Sequence, residues 1–226
     1  MPVFFLVNVS NRGHNGTVKP IDFHPRALEF IRTQTTSIRH QIGEALRDLQ
    51  KGITPGMPLS RPMPVIATGV RELRVKDAIA TVRVFYAAGQ GEAIVAFHAF
   101  WKKSQKRQRV RSLLRGEDCR RYWMRRASSK KPVRVNTAAD LGRALGLSEA
   151  ETGEMEFRSE LTCALVKIIQ NGKLTHAEIS KRAGTSRTRV TAIANANTRG
   201  ISTDLLIRVL SATGHKAELR VRRTAA

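Results

Sequence analysis

The chain has 226 residues, with 40 Lys and Arg against 18 Asp and Glu, a net charge of +22 and a pI near 11.4. That length accommodates two compact domains of about 100 residues each, and that charge points to a polyanionic partner, nucleic acid before an anionic membrane surface. Two cysteines, Cys119 and Cys163, with neither a CxxC pair nor a His/Cys cluster, argue against a disulfide framework and a structural zinc site and suit a reducing cytoplasm.

Residues 1–17 read as a loose N-terminal extension. Their apolar run Val3 to Val7 is too short for a signal-peptide core or a membrane span, so no membrane partner is expected. Lys19 to Phe23 alternates polar and apolar residues as a first, edge strand does, and Pro20 suits an edge. Arg26 to Gln50 predicts a helical hairpin. Ala27, Leu28 and Ile31 form one face; Ile38, Ile42, Ala45, Leu46 and Leu49 recur at helical spacing on another, with Thr33 to Thr36 between them. A long loop follows, marked by Gly52, Pro55, Gly56, Pro58, Pro62 and Pro64.

From Gly69 to Lys106 the β-branched and aromatic residues recur between turn residues, which predicts a three-stranded meander: Val70 to Val75, Ala80 to Tyr86 and Ala93 to Phe100. This stretch gathers Arg71, Arg74, Arg83, His98, Lys102, Lys103 and Lys106, offset only by Glu72, Asp77 and Glu92. Such a surface suits phosphate. From Trp101 to Arg134 there are 14 Lys and Arg against 2 Asp and Glu, so basicity peaks at mid-chain; Arg107 to Arg126 reads as a terminal helix on the sheet. Residues 127–136, including Ser128-Ser129-Lys130-Lys131-Pro132, read as a linker.

Residues 137–226 are helical in period. A short helix is capped at Thr137 and ended by Gly146, and Ser148 with Glu151 forms a capping box for the next. Leu161, Ala164, Leu165, Ile168 and Ile169 line a helix ending near Gly172. Thr175 and Glu178 cap a helix through Ala183, Gly184 permits a tight turn, and Ser186 caps a third helix through Ala194. This is helix-turn-helix spacing, with Leu174, Ile179, Ala183, Val190 and Ile193 as its small core. A helix over Thr203 to Ala212 and an alternating strand over Lys216 to Val221 complete the chain; the strand is expected to pair across a homodimer.

Residues 18–126, through KPIDF, GVRELRVKD, TVRVFY and HAFWKKSQK, resemble the RelE/HigB-type toxin superfamily, in its phage-derived HigB-like branch. Residues 137–226, through FRSELTCAL, LTHAEISKRAGTSRTRV and ISTDLLIRVLSATGHKAELRV, resemble the XRE-type antitoxins that accompany those toxins. Chains of this kind often begin Met-Lys-Pro, which makes Val18, ahead of Lys19 and Pro20, the expected start of the toxin half. The resemblance implies an α+β RelE/ParE-like domain, a helical hairpin on a small antiparallel sheet, followed by an all-α helix-turn-helix domain with a C-terminal strand. It further implies ribosome-dependent, metal-independent mRNA cleavage by the first half, and neutralisation and operator DNA binding by the second. The expected partners are mRNA, the ribosome, operator DNA, the other half of the chain and a second copy; no cofactor is expected.

The resemblance places Arg74, Arg83 and Lys103 where the superfamily keeps catalytic basic residues. RNA cleavage by the 2′-hydroxyl needs a base, cations for the charged transition state and an acid for the leaving 5′-oxygen. Arg74 and Arg83 would clamp the phosphate, Lys103 would stabilise the leaving group, and His98 would take the proton. The alternation of the strand, however, gives His98 a face with Ala96 and Phe100, the setting of a structural histidine. Arg71, Lys102 and Lys106 are expected to hold RNA or the ribosome rather than react. Where RNase members often carry a tyrosine after the last strand, this chain has Lys106, Arg107 and Arg109. That departure supports a rival reading, a transcriptional regulator with an inactive toxin-like half; a gyrase inhibitor of ParE type is a second rival.

In the second half, Thr175, His176, Ser186, Arg187, Thr188, Arg189 and Thr191 stand where major-groove readers place base and phosphate contacts. The acidic run holding Glu149, Glu151, Glu154 and Glu156 is expected either to face the basic cleft of a toxin half, or to be a solvated helix start in which Glu154 pairs with Arg158.

Overall fold

The computed structural model describes residues 4–7, 18–78, 81–88, 93–102, 131–217 and 219–222. The expected terminal helix over 107–126, with Lys103 and Lys106, lies outside them.

The first half is built on two helices and a sheet. Helix α1, Pro25–Arg32, opens on Pro25, whose missing N–H is no loss in a first turn, and is capped by His24 Nδ1, which accepts from Arg26 N at 3.2 Å. Helix α2, Thr36–Gln50, is capped by Thr35, whose hydroxyl accepts from Ile38 N at 3.3 Å. Such a cap contributes about 1 kcal/mol. The apolar positions anticipated for both helices are buried.

Of the strands, β1 is Phe4–Val7, β2 Ile21–Phe23, β3 Ser60–Pro62, β4 Val70–Lys76, β5 Thr81–Ala87, β6 Ile94–Trp101, β7 Val133–Val135 and β8 Leu219–Arg222. The larger sheet has six strands in the order β3-β4-β5-β6-β2-β7. It is mixed, not purely antiparallel as expected. Strand β2 runs parallel to β6, pairing Ile21 with Ile94 and Phe23 with Ala96, because the hairpin and meander carry the chain back to the same side of the sheet. Nor is β2 an edge. Strand β7, drawn from the stretch expected to be linker, pairs antiparallel with its other side, and Arg134 grips Asp22 at 2.8 and 2.9 Å. Ile21, Asp22 and Phe23 are all buried as a result.

Five helices follow among the described residues. Helix α3, Ala138–Leu145, begins in a Thr137/Asp140 capping box and ends at Gly146 in the left-handed region. Helix α4, Glu149–Asn171, is one unbroken element of 23 residues. Helices α5, His176–Ala183, and α6, Arg187–Ala194, form the helix-turn-helix, and α7, Thr203–Ala212, packs behind it.

The described residues bury two large cores, whose border is not at residue 137, and a smaller cluster of Ile66, Val70, Phe85, Val95 and Phe97 on the sheet's other face. The first lies between the sheet and α1/α2 and takes in Val135, Leu141, Ala144, Leu145, Leu147 and Met155 from beyond the linker stretch. The second gathers Leu161, Leu165 and Ile169 of α4 with Ile179, Ala183, Val190, Ile193, Leu205, Leu206, Val209 and Leu210. Helix α4 therefore serves the first core with its N-terminal turns and the second with the rest.

The C-terminal strand has a partner within the chain. β8 pairs antiparallel with β1, Phe4 opposite Arg222 and Val7 opposite Leu219, so part of the expected loose extension is a strand. A lone strand leaves its backbone donors and acceptors unpaired, and β1 supplies them. Among the described residues no helix is long and apolar enough to cross a membrane.

Candidate nucleic-acid interfaces

Alternation along β4 and β5 gives the six-stranded sheet two different faces. Leu73, Val75, Val82, Val84 and Tyr86 point into the first core, under the helices. Glu72, Arg74, Arg83 and Phe85 point to the other side. In the β4–β5 register Arg74 stands directly opposite Arg83, and Glu72 opposite Phe85. The Glu72 side chain is only 5% exposed; one carboxylate oxygen accepts from Arg74 Nε at 2.7 Å and the other from Arg83 Nη1. Two cations on one buried carboxylate leave a net positive site. Both terminal nitrogens of Arg74 are outside this pair, and Arg83 Nε is a buried donor without an acceptor among the described residues.

His98 reaches the same side through a β-bulge. Phe85 pairs with His98 but Tyr86 pairs with Ala96, so Phe97 is an extra residue in β6. Strict alternation had put His98 with Ala96 and Phe100. The bulge separates them: Ala96 enters the first core, whereas His98 stacks with Phe100 (5.4 Å between ring centres) and with Phe85 (6.2 Å). Burial, and then the nearby His24, hold the His98 pKa below its ordinary value, which favours the neutral ring.

Arg71 is not part of this group. It stands opposite Tyr86 on the helix side and donates from Nε to Ser60 Oγ at 3.0 Å, where Ser60 also bonds the Tyr86 hydroxyl at 2.8 Å. Lys102 is exposed just past the end of β6. The structure thus gathers Arg74, Arg83 and His98, with Lys102 at the rim, and separates Arg71. Sequence reasoning passed over the role of Glu72, yet its two-residue spacing from Arg74 in a strand was signal enough to put both on one face.

The second interface is the helix-turn-helix. Thr175 and Glu178 form the complete capping box of α5, and Gly184, at φ +61°, ends that helix in a left-handed turn. The Ser186 hydroxyl accepts from Arg189 N at 3.3 Å to start α6. The Thr175 and Ser186 hydroxyls are thus engaged as caps. His176 Nδ1 lies 3.0 Å from Thr191 Oγ1, tying the first helix to the second. Arg187, Thr188 and Arg189 are exposed on the first turn of α6, and their side chains form no hydrogen bond or ion pair among the described residues. This turn presents two cations and a hydroxyl outward.

Between the halves, α4 lies along α2. Glu156 takes Arg47 at 2.5 and 2.8 Å and Lys51 at 3.3 Å. Burial pushes the Glu156 pKa up, but the Arg47 hydrogen bond and the charges of Lys51 and Arg47 outweigh it and hold the pKa low. Glu151 caps α4, and Glu154 sits 4.0 Å from His40. The acidic run therefore meets α2, whose inner face packs on the far side of the sheet from Arg74 and Arg83. Arg158 does not pair with Glu154: it bonds Glu44 of α2, Thr203 Oγ1 at 2.9 Å and the Ile201 carbonyl at 3.0 Å. Gly56 N donates to the Asn195 carbonyl at the end of α6, at 2.8 Å. Asp48, buried in this seam, accepts from Ser159 Oγ at 2.6 Å, and burial pushes its pKa up to about 8.

Residues 29–111 match the family described as Phage derived protein Gp49-like (DUF891), and residues 144–222 match a family described as a helix-turn-helix domain. No curated protein and no solved structure matches the chain. The arginine pair on the sheet falls within the first match and the α5–α6 turn within the second, so the chain joins a Gp49-like domain, of a RelE/HigB-like toxin family, to a DNA-binding helix-turn-helix domain.

Proposed function

We propose that the chain is a fused toxin and antitoxin, in which the Gp49-like half cleaves mRNA on the ribosome and the helix-turn-helix half neutralises it and binds operator DNA. The observation that carries the reading is the Arg74/Arg83 pair, set side by side on the sheet face that the helices do not use. Their guanidinium groups, aligned by Glu72, suit a phosphate whose charge grows in the transition state. Neutral His98 takes the proton of the 2′-hydroxyl as its oxygen bonds to phosphorus. The bond from phosphorus to the 5′-oxygen then breaks, leaving a 2′,3′-cyclic phosphate and a 5′-hydroxyl. Lys103 is assigned to the leaving oxygen on the family resemblance alone.

On DNA, Arg187, Thr188 and Arg189 are the contacts of the recognition helix α6, and Thr175, His176, Ser186 and Thr191 set its start and its angle to α5. The tether holds the two halves at an effective concentration on the order of mM. Because α4 grips α2 and not the arginine face, neutralisation acts on the approach of a partner as large as the ribosome rather than by filling the site.

Residues 18–126 alone would lack Val135, Leu141 and Leu145 of their own core, so the full chain is the form to test. Mapping of new mRNA 5′ ends in cells induced for the full chain, for Glu156→Lys and for Glu156→Lys with Arg83→Ala decides the matter. Cleavage within coding regions that appears or rises with Glu156→Lys and vanishes with Arg83→Ala supports the reading. No new ends in any of the three, with DNA binding intact, favours a DNA-binding regulator. The engagement of both arginines by Glu72 is the observation on the side of that second reading.

A further inference from the structure

We infer that Phe100 is a stacking platform for one unpaired nucleobase of a single-stranded RNA, next to the phosphate site at Arg74 and Arg83. The inference rests on the nuclease reading for the identity of the ligand and adds the subsite that would hold its base.

Four rings share the sheet face away from the helices. Phe85 and Phe97 are buried, covered together with Val70 and Val95 by Ile66 and its neighbours Met63 and Ala67. Phe100 and His98 are only half-buried. The apolar cover therefore thins where the aromatic row meets the cations. Phe100 is the direct cross-strand neighbour of Arg83, which puts their Cβ atoms about 5 Å apart. His98 stacks on Phe100 with ring planes 28° apart, and Phe85 packs against it at 5.5 Å. The ring plane of Phe100 is thus held before any ligand arrives.

A partly exposed aromatic ring beside a pair of arginines has the chemistry of a single-strand site: cations follow the phosphates, and a ring receives a base that no partner strand occupies. A duplex offers neither an unstacked base nor access to it. The β6 bulge makes the arrangement possible, since it brings two consecutive residues, Phe97 and His98, to one side and lets His98 back Phe100.

The test uses the full chain and two fluorescent oligonucleotides of equal length, one of 2′-O-methyl adenosines and one an abasic sugar-phosphate chain. Neither can be cut, because the first has no free 2′-hydroxyl and the second is made with a 2′-deoxy sugar. Binding is thus read apart from cleavage, and a chain without nuclease activity still reports on the platform. Phe100→Leu keeps apolar bulk and removes the ring; Phe100→Trp keeps a ring. Phe100→Leu should weaken binding of the base-bearing strand about tenfold and leave the abasic strand unchanged, and Phe100→Trp should restore it. Binding to a DNA duplex should be the same in all three chains. Equal losses on both oligonucleotides, or no loss with Phe100→Leu, would overturn the inference.

Discussion

Glu156 of α4 holds Arg47 of α2 through both carboxylate oxygens, at 2.5 and 2.8 Å, with side chains only 19% and 9% exposed. This bidentate pair joins residues 109 positions apart and seats the DNA-binding half on the toxin-family half. Removing one partner of such a pair leaves a desolvated charge, which destabilises by about 3 kcal/mol. Glu156→Ala is therefore expected to lower the denaturation midpoint sharply. Glu156→Ala with Arg47→Ala should lose less than the sum of the two single changes, by about 1–3 kcal/mol. Additive losses in that cycle would mean that the pair is not coupled.

Asp48 predicts the pH response of the same seam. Its folded pKa, about 8, lies above its ordinary value of 3.8. Between those values the native state holds a proton that the unfolded chain has lost. Its contribution is thus full below the unfolded pKa and declines as pH rises toward 8. Asp48→Asn removes this group from the titration. The stability of Asp48→Asn relative to the unaltered chain should rise with pH by on the order of 1 kcal/mol per unit between pH 5 and pH 7. Parallel urea-derived stability curves for the two chains across that range would refute the assignment.

Gly184 is required by its backbone and not by space. At φ +61° a side chain is strained, while the nearest atom a Cβ would meet is Arg208 Nη1 at 3.9 Å. Gly184→Ala should cost about 1–2 kcal/mol with the fold retained, read as a shift of the midpoint at unchanged slope. A neutral result would show that the turn between α5 and α6 relaxes.

Arg189 tests the DNA face. If its guanidinium meets a phosphate, Arg189→Ala weakens binding to a mixed-sequence duplex and reduces the slope of log affinity against log salt by about 1. An unchanged slope would remove Arg189 from the phosphate contacts.

Much of this architecture could be read from local signals. Caps at Thr35, Thr137, Ser148, Thr175 and Ser186 need only a hydroxyl at a helix start, and each is formed within a few residues. The helix-turn-helix was legible for the same reason: its caps, its glycine and its apolar spacing are all short-range. Arg74 and Arg83 were grouped by the family resemblance, whereas their direct cross-strand pairing is set by the register of β4 and β5. His98 was harder, because a bulge shifts the alternation by one residue and leaves no mark in the pattern of apolar residues. Arg71 shows the reverse case: its odd spacing from Arg74 was enough to put it on the other face, and grouping by charge alone hid that.

By itself, then, the sequence determined the two basic surfaces and the elements that carry them, since charge, capping and periodicity are properties of neighbouring residues. Only the tertiary structure decided where one half ends and the other begins. Val135, Leu141 and Met155 lie past the linker stretch yet complete the first core, and β2 and β8 were placed by partners distant in the chain. The physical reason is that buried area and strand edges are satisfied by whatever surface is complementary in space, and separation along the chain leaves no local trace of that choice.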